Sequence, residues 1–351
     1  MRRTIAAALL FVLLPLAGIE LGLRIGVLDR PTNWYDLILT AACADKVDFV
    51  FAGSSRVAAA IHSEAFAKYV SQEIGASVRA LNIGRGYTTL AEHDLVLRSL
   101  YEQCASSMEG ATVFIEVGAG LPDFSTFRDS WVHPDEPWLI VPVIDRHDLV
   151  RMWMASDTPW GNKVDVSMRY SLQAVDYIDR KRRSLLWAGD QVVSKLSDRI
   201  TTGGENGAAD LSSAGGILTD LASVERARRL AVELASTTFK NSPRADWSAT
   251  VLMDVNALVR RHDGRVVLFR MPLSSVQTRS TTPALLADIE AFRRHAVVAD
   301  IDYLPIEFAT TDEDFPDYWH LRNSRADEFS RRVAVEYMTT ERTRLRVANV
   351  D

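Results

Sequence analysis

The chain has 351 residues, 47% of them apolar and 25% charged. That composition is globular, carries enough apolar mass for a substantial core, and excludes a disordered chain; the length suits one elaborated domain or two small ones. The net charge of −6 is mild and points away from nucleic acid as a partner.

Met1-Arg2-Arg3 opens the chain, and an uncharged apolar run follows from Ile5 to Ile19. Glu20 and Arg24 interrupt a segment that otherwise stays apolar to Leu28. Two readings stand. The uncharged run has the length of a signal-peptide core and falls short of the roughly 18–20 residues that cross a bilayer. Against cleavage, no A-x-A-like site follows, and Glu20 and Arg24 can reach the interface by snorkelling. The expectation carried forward is an uncleaved N-terminal signal anchor over residues 1–28. Arg2 and Arg3 place its start in the cytoplasm. Residues 29–351 are then expected outside the cytoplasm, where Cys43 and Cys104 are free to pair.

Beyond a short helix near Leu37–Ala44, residues 47–53 read as a fully buried strand, continuously apolar apart from Asp48. A helix is expected over 58–73, a strand over 78–84, an amphipathic helix over 89–104 and a third strand over 111–118. This β-α-β-α-β order with short connections predicts an α/β fold, a doubly wound parallel sheet of about five strands. The pattern returns with a helix over 246–265, a strand over 265–273, a helix over 282–295, a last strand over 296–305 and a C-terminal helix over 324–342. Ser324 and Asp327 resemble a capping box for that last helix. Between the two halves, residues 124–245 read as a helical insertion. It has helix-like runs at 167–198 and 217–239 and a flexible loop at 201–216. Trp131, Trp138, Trp153, Trp160 and Trp187 fall within it. They serve either a small core or a lid or sugar-stacking surface.

Ligands of an open parallel sheet bind beyond the carboxyl ends of its strands. Strand one ends in Gly53-Ser54-Ser55, strand two in NIGRG and strand three in EVGAG, while DFPDYWHLRNS follows the last strand. A serine at a strand-to-helix turn projects its hydroxyl from the sheet rim and aims its own amide at a nascent oxyanion. It needs a histidine as base, and the histidine needs a third group to set its tautomer. Asp317 lies three residues before His320, a spacing that lets both share one face of a turn. Gly86 can bring a second amide to the oxyanion. None of the other histidines (His62, His93, His133, His147, His262 and His295) has H-x-H or H-E-x-x-H spacing, so neither a metal nor another cofactor is expected. His93 reads as a helix-face residue. Glu116, inside strand three, reads as a buried carboxylate with a structural or a site role.

These motifs, in this order, resemble the SGNH (GDSL-like) hydrolase superfamily over roughly residues 45–123 and 246–340. The resemblance implies strand order 2-1-3-4-5, Ser55 as nucleophile, His320 as base, Asp317 as its orienting acid, and the amides of Ser55 and Gly86 as oxyanion donors. In the strand order it implies, Cys43 and Cys104 lie together at the bottom of the sheet. The third block departs from the family pattern: Gly118-Ala119-Gly120-Leu121 has no Asn to donate to the oxyanion. Asn82, Arg85 and Arg56 are candidates to substitute, each also readable as a loop hydrogen bond or a surface charge. An anchor, GSSRV for GDSL and the missing Asn together resemble the membrane-anchored SGNH-like proteins of bacterial envelopes. Those act with membrane-bound O-acyltransferases on exopolysaccharides or teichoic acids. The implied protein is an esterase or O-acyltransferase on the extracytoplasmic (periplasmic) side of the inner membrane, single-pass, with a glycan or acyl-ester substrate. The alternative is a non-catalytic glycan-binding or assembly partner with a degenerate site.

Overall fold

The computed structural model describes residues 17–21, 34–85, 90–117, 141, 143–154, 160–172, 245–280 and 283–348. The chain divides into two compact units, Met1–Asp36 with Pro134–Ser213, and Leu37–His133 with Ala214–Asp351.

The second unit carries the sheet. After α1 (Trp34–Ala44) come β1 (Phe49–Ala52), α2 (Ser55–Ala60), α3 (Ser63–Ile74), β2 (Ala80–Asn82), α4 (Leu90–Gln103), a single turn α5 (Ala105–Met108) and β3 (Thr112–Glu116). Past α6 (Arg146–Met154) and α7 (Trp160–Ser171) of the first unit, the chain continues through α8 (Ala245–Arg261), β4 (Arg265–Phe269), α9 (Ser275–Ser280), α10 (Pro283–Val298), β5 (Asp302–Leu304) and α11 (Asn323–Ala348). The five strands form one parallel sheet in the order β2-β1-β3-β4-β5, as expected.

Strands buried on both faces are predominantly apolar, and β1 and β3 are buried at every position, with Thr112 and Glu116 at the ends of β3 the polar exceptions. On one face Phe49, Phe51, Phe114 and Phe269 meet Phe66 of α3 and Phe329 and Tyr337 of α11. Phe51 stacks on Phe114 with ring centroids 4.6 Å apart, and Phe66 stands edge-on to Phe51 at 4.9 Å. The two-residue period turns Val50, Val113, Ile115, Val266 and Leu268 to the opposite face, where they are equally buried. α8 packs against β4, α4 and α10.

Several boundaries differ from expectation. The single helix over 58–73 is two helices, broken at Ile61-His62, where the His62 amide donates to Ser330 Oγ of α11 at 2.8 Å. β4 stops at Phe269, short of the expected Leu273, where charged Arg270 interrupts the apolar run. Met271 is core, but Pro272 has no N–H to pair. β5 is shorter than 296–305 because α10 continues to Val298. Ser324 lies inside α11 and Asp327 pairs with His62 Nδ1 at 2.7 Å, so these two are not a capping box. A capping box stands instead at Thr311–Asp314.

Cys43 and Cys104 form a disulfide, with Cα atoms 4.9 Å apart. Their separation of 61 residues makes the constraint on the unfolded chain worth about 4 kcal/mol on a loop-entropy basis.

In the first unit, the Trp153 and Trp160 rings meet edge to face at 5.0 Å, and Trp153 Nε1 donates to Ser167 Oγ. Trp131, Trp138, Trp187, most of the 167–198 run, the 217–239 run and the loop at 201–216 lie outside the described residues. So does most of the expected anchor, of which residues 17–21 are helical. Among the described residues no helix is long and apolar enough to cross a membrane.

Candidate active site

β1 pairs with β3 through Ala52 and Ile115, which sets Gly53 beside Glu116. A Cβ at position 53 would fall 2.3 Å from Val57 Cγ2 and 2.7 Å from Glu116 Oε2, so only glycine lets the chain turn there. Ser54 is the N-cap of α2: its Oγ accepts from the Arg56 amide at 3.2 Å. The Ser54 amide and hydroxyl both donate to Glu116 Oε2, each at 2.8 Å. Glu116 Oε1 in turn faces Arg56 Nε at 3.6 Å, and both side chains are buried. Ser54 is therefore consumed in holding the turn.

Ser55 is the first residue of α2 and is placed differently. Its Oγ lies 2.8 Å from His320 Nε2. His320 Nδ1 lies 2.6 Å from Asp317 Oδ2. An ionised carboxylate can only accept, so Nδ1 carries the proton and Nε2 is left to accept the Ser55 hydroxyl hydrogen. Asp317 Oδ1 accepts from the backbone amides of Trp319 at 2.9 Å and His320 at 2.8 Å. Burial pushes the Asp317 carboxyl up, but the His320 ring and these two amides outweigh it and hold its pKa below the usual carboxylate value. Tyr318, between them, takes a left-handed φ of 66°, which curls the chain so that one carboxylate reaches all three donors. Ser274 Oγ donates to the Tyr318 carbonyl at 2.8 Å and pins this turn to the segment after β4.

The Ser55 amide is at the first helical position, where no intrahelical acceptor exists, and none lies among the other described residues. Among the described residues nothing competes with an oxyanion for it. The other sequence candidates fare unequally. Asn82 is spent on structure: its amide nitrogen donates to the Val57 and Ile61 carbonyls, and its oxygen accepts from the Gly84 amide. Arg56 is held by Glu116 and by the Pro272 carbonyl at 3.5 Å. The Arg85 amide donates to the Gly53 carbonyl at 3.0 Å. Gly86 and the third block, Gly118 to Leu121, lie outside the described residues. No protein-family model matches the chain, and no curated protein matches it.

Sequence reasoning placed Glu116 without finding its partners, and it missed the setting of His93. His93 is on the buried face of α4, and its ring hydrogen-bonds the Gly53 carbonyl from behind the serine turn. Burial drives its pKa down from 6.5 to about 4, the bond to Gly53 opposing. The folded protein therefore holds His93 neutral where the unfolded chain is protonated. Stability is full above about pH 6.5 and falls as pH drops toward about 4, by something on the order of 3 kcal/mol. Chemical denaturation across that window is expected to show this loss in the wild type. His93→Gln should remove about one proton from the slope, and equal slopes in the two proteins would contradict the assignment.

In the first unit, Asp145, His147 and Asp148 bring potential ligand atoms within 4.8 Å of one another. Two of the three are engaged in capping α6: the Asp148 amide donates to Asp145 Oδ1 at 2.7 Å, and the Asp145 amide to Asp148 Oδ2 at 3.3 Å.

Proposed function

We propose that the chain is an extracytoplasmic SGNH-like serine esterase or O-acyltransferase acting on acyl esters of a cell-envelope or secreted polysaccharide. The observation that carries the reading is the unbroken relay from Ser55 Oγ through the His320 ring to Asp317, at 2.8 and 2.6 Å. Ser55 Oγ attacks the ester carbonyl as its proton passes to His320 Nε2. Asp317 keeps the ring oriented and stabilises the imidazolium. The Ser55 amide meets the tetrahedral oxyanion. The intermediate collapses when His320 returns the proton to the departing alkoxide, leaving an acyl group on Ser55. A second hydroxyl compound, deprotonated by His320, then attacks that acyl group, and the resulting intermediate expels Ser55 Oγ, which takes the proton back from His320. Water as acceptor makes an esterase, a sugar hydroxyl makes a transferase, and the same relay serves both.

The polysaccharide, a membrane-bound O-acyltransferase as partner and an inner-membrane anchor belong to the proposal through the family resemblance. The test is to incubate the full-length protein with p-nitrophenyl acetate, quench, and locate the acetyl adduct by mass spectrometry. The expected adduct is on the peptide carrying Ser55 and is absent from Ser55→Ala. An adduct on Ser54, or none on the folded wild type, would overturn the reading. The second reading, a non-catalytic glycan-binding or assembly partner, is favoured by the absence of Asn from Gly118-Ala119-Gly120-Leu121. It predicts glycan binding that Ser55→Ala leaves intact, with no acyl adduct.

A further inference from the structure

The two halves of the relay come from opposite ends of the chain. Ser55 opens the helix after β1, and Asp317 and His320 stand on the loop between β5 and α11. Within that loop the parts are joined locally: Asp317 accepts from the Trp319 and His320 amides and from the His320 ring. Those bonds make Asp317 and His320 one rigid piece. They do not set where the piece sits relative to Ser55.

The segment after β4 is tied to both halves. Its Pro272 carbonyl accepts from Arg56, the neighbour of the nucleophile. Its Ser274 hydroxyl donates to the carbonyl of Tyr318, between Asp317 and His320. The same segment grips the loop further upstream: the Leu273 carbonyl accepts from Thr310, and Ser275 gives its amide and its hydroxyl to Asp312. Ser274 is aimed by its own helix. It immediately precedes α9, with Gln277 three residues on, the S-x-x-Q spacing of a capping box. The Gln277 amide donates to Ser274 Oγ at 3.2 Å, and the Ser274 amide donates to Gln277 Oε1 at 3.0 Å. Both residues are only 1% exposed, so the bonds are shielded from water. A hydroxyl has one hydrogen to give. With its oxygen held by the Gln277 amide, Ser274 gives that hydrogen to Tyr318.

We propose that Ser274 is a positioning residue of the acyl-transfer site: through Tyr318 it sets the Asp317–His320 piece where Nε2 reaches Ser55 Oγ. This rests on the function proposed above. Ser274 itself touches neither the substrate nor the reacting atoms. Its leverage comes from the steepness of reactive geometry, in which a displacement of about 1 Å costs on the order of a hundredfold in rate.

The test is steady-state turnover of p-nitrophenyl acetate by the full-length protein, with near-UV circular dichroism as the control for folding. In Ser274→Ala, kcat is expected to fall about tenfold to a hundredfold while KM stays near its wild-type value. Thr278→Val removes another hydroxyl bond of this turn, from Thr278 Oγ1 to the Ser274 carbonyl, and should leave kcat within about twofold. Wild-type kcat in Ser274→Ala, or an equal loss in Thr278→Val, overturns the proposal. If Ser274→Ala does not fold, Ser274→Cys, which keeps the shape with a weaker donor, is read in its place. The placement is also read without turnover, from the ¹⁵N shift of His320 Nε2, which reports the bond it accepts from Ser55. Ser274→Ala should move that shift towards its value in Ser55→Ala, while the Nδ1 proton held by Asp317 keeps its resonance. Loss of the Nδ1 resonance too would mean that Ser274 holds the pair together instead of placing it, and overturns the proposal. If the wild type does not turn over the ester, the acyl-transfer reading fails and the Nε2 shift decides on Ser274 alone. A shift towards the Ser55→Ala value supports the placement, and an unchanged one overturns it.

Discussion

His320→Ala is expected to lower turnover of p-nitrophenyl acetate by a factor on the order of 10⁴ or more, with the fold retained. The ring is partly exposed and contributes chiefly its two nitrogens, one to Ser55 and one to Asp317. Removing it leaves the serine hydroxyl without a base. Asp317→Asn should cost on the order of 10³–10⁴ by a different route, since an amide can fix the wrong tautomer. The two losses should not add in the double variant, because each breaks the same relay. Steady-state kinetics with a thermal unfolding control reads both; residual activity within about tenfold of wild type in His320→Ala would contradict the role. The depressed Asp317 pKa also stabilises the fold. That contribution is present above the ordinary carboxylate pKa and is lost only as pH falls through the lower folded value. Asp317→Asn should flatten this acid limb.

Glu116→Ala is expected to destabilise the protein by about 3–5 kcal/mol. The substitution removes the carboxylate that faces buried Arg56, and with it the acceptor shared by the Ser54 amide and hydroxyl. Glu116→Gln keeps an acceptor for Ser54 and should cost less. Because Ser54 caps the helix that Ser55 begins, loosening it also displaces the nucleophile from His320. Urea denaturation gives the stability, and the acetylation rate of Ser55 gives the displacement. A Glu116→Ala protein within about 1 kcal/mol of wild type would mean that the turn is held by other contacts.

The sheet was legible because its strands are buried on both faces and therefore read as unbroken apolar runs. Val50 and Phe51 of β1, and Phe114 and Ile115 of β3, are four such positions. Apolarity alone does not say where pairing stops. Met271 belongs to the core beyond the end of β4, and Ala296 to Val298 continue α10 where a strand was expected. The relay was legible because Asp317-x-x-His320 is local in sequence and Ser55 stands at a strand end. Choosing Ser55 over Ser54 needed only the family pattern, but the reason lies in three dimensions. Ser54 is held by Glu116, sixty-two residues away, and Ser55 by His320, 265 residues away. Asn82 could not be judged from its neighbours, because two of its partners, the Val57 and Ile61 carbonyls, lie on and just after the preceding helix α2. His93 looked like one more polar residue of an amphipathic helix. Only the packing of α4 behind Gly53 makes it a buried one.

The relay itself is tested most directly by fluorophosphonate labelling of the folded full-length wild type, Ser55→Ala and Ser54→Ala. The account predicts stoichiometric labelling of the wild type and none of Ser55→Ala. Ser54→Ala should still label, more slowly for want of its cap. Labelling that survives in Ser55→Ala, or a folded wild type that does not label, would contradict an activated serine at this position.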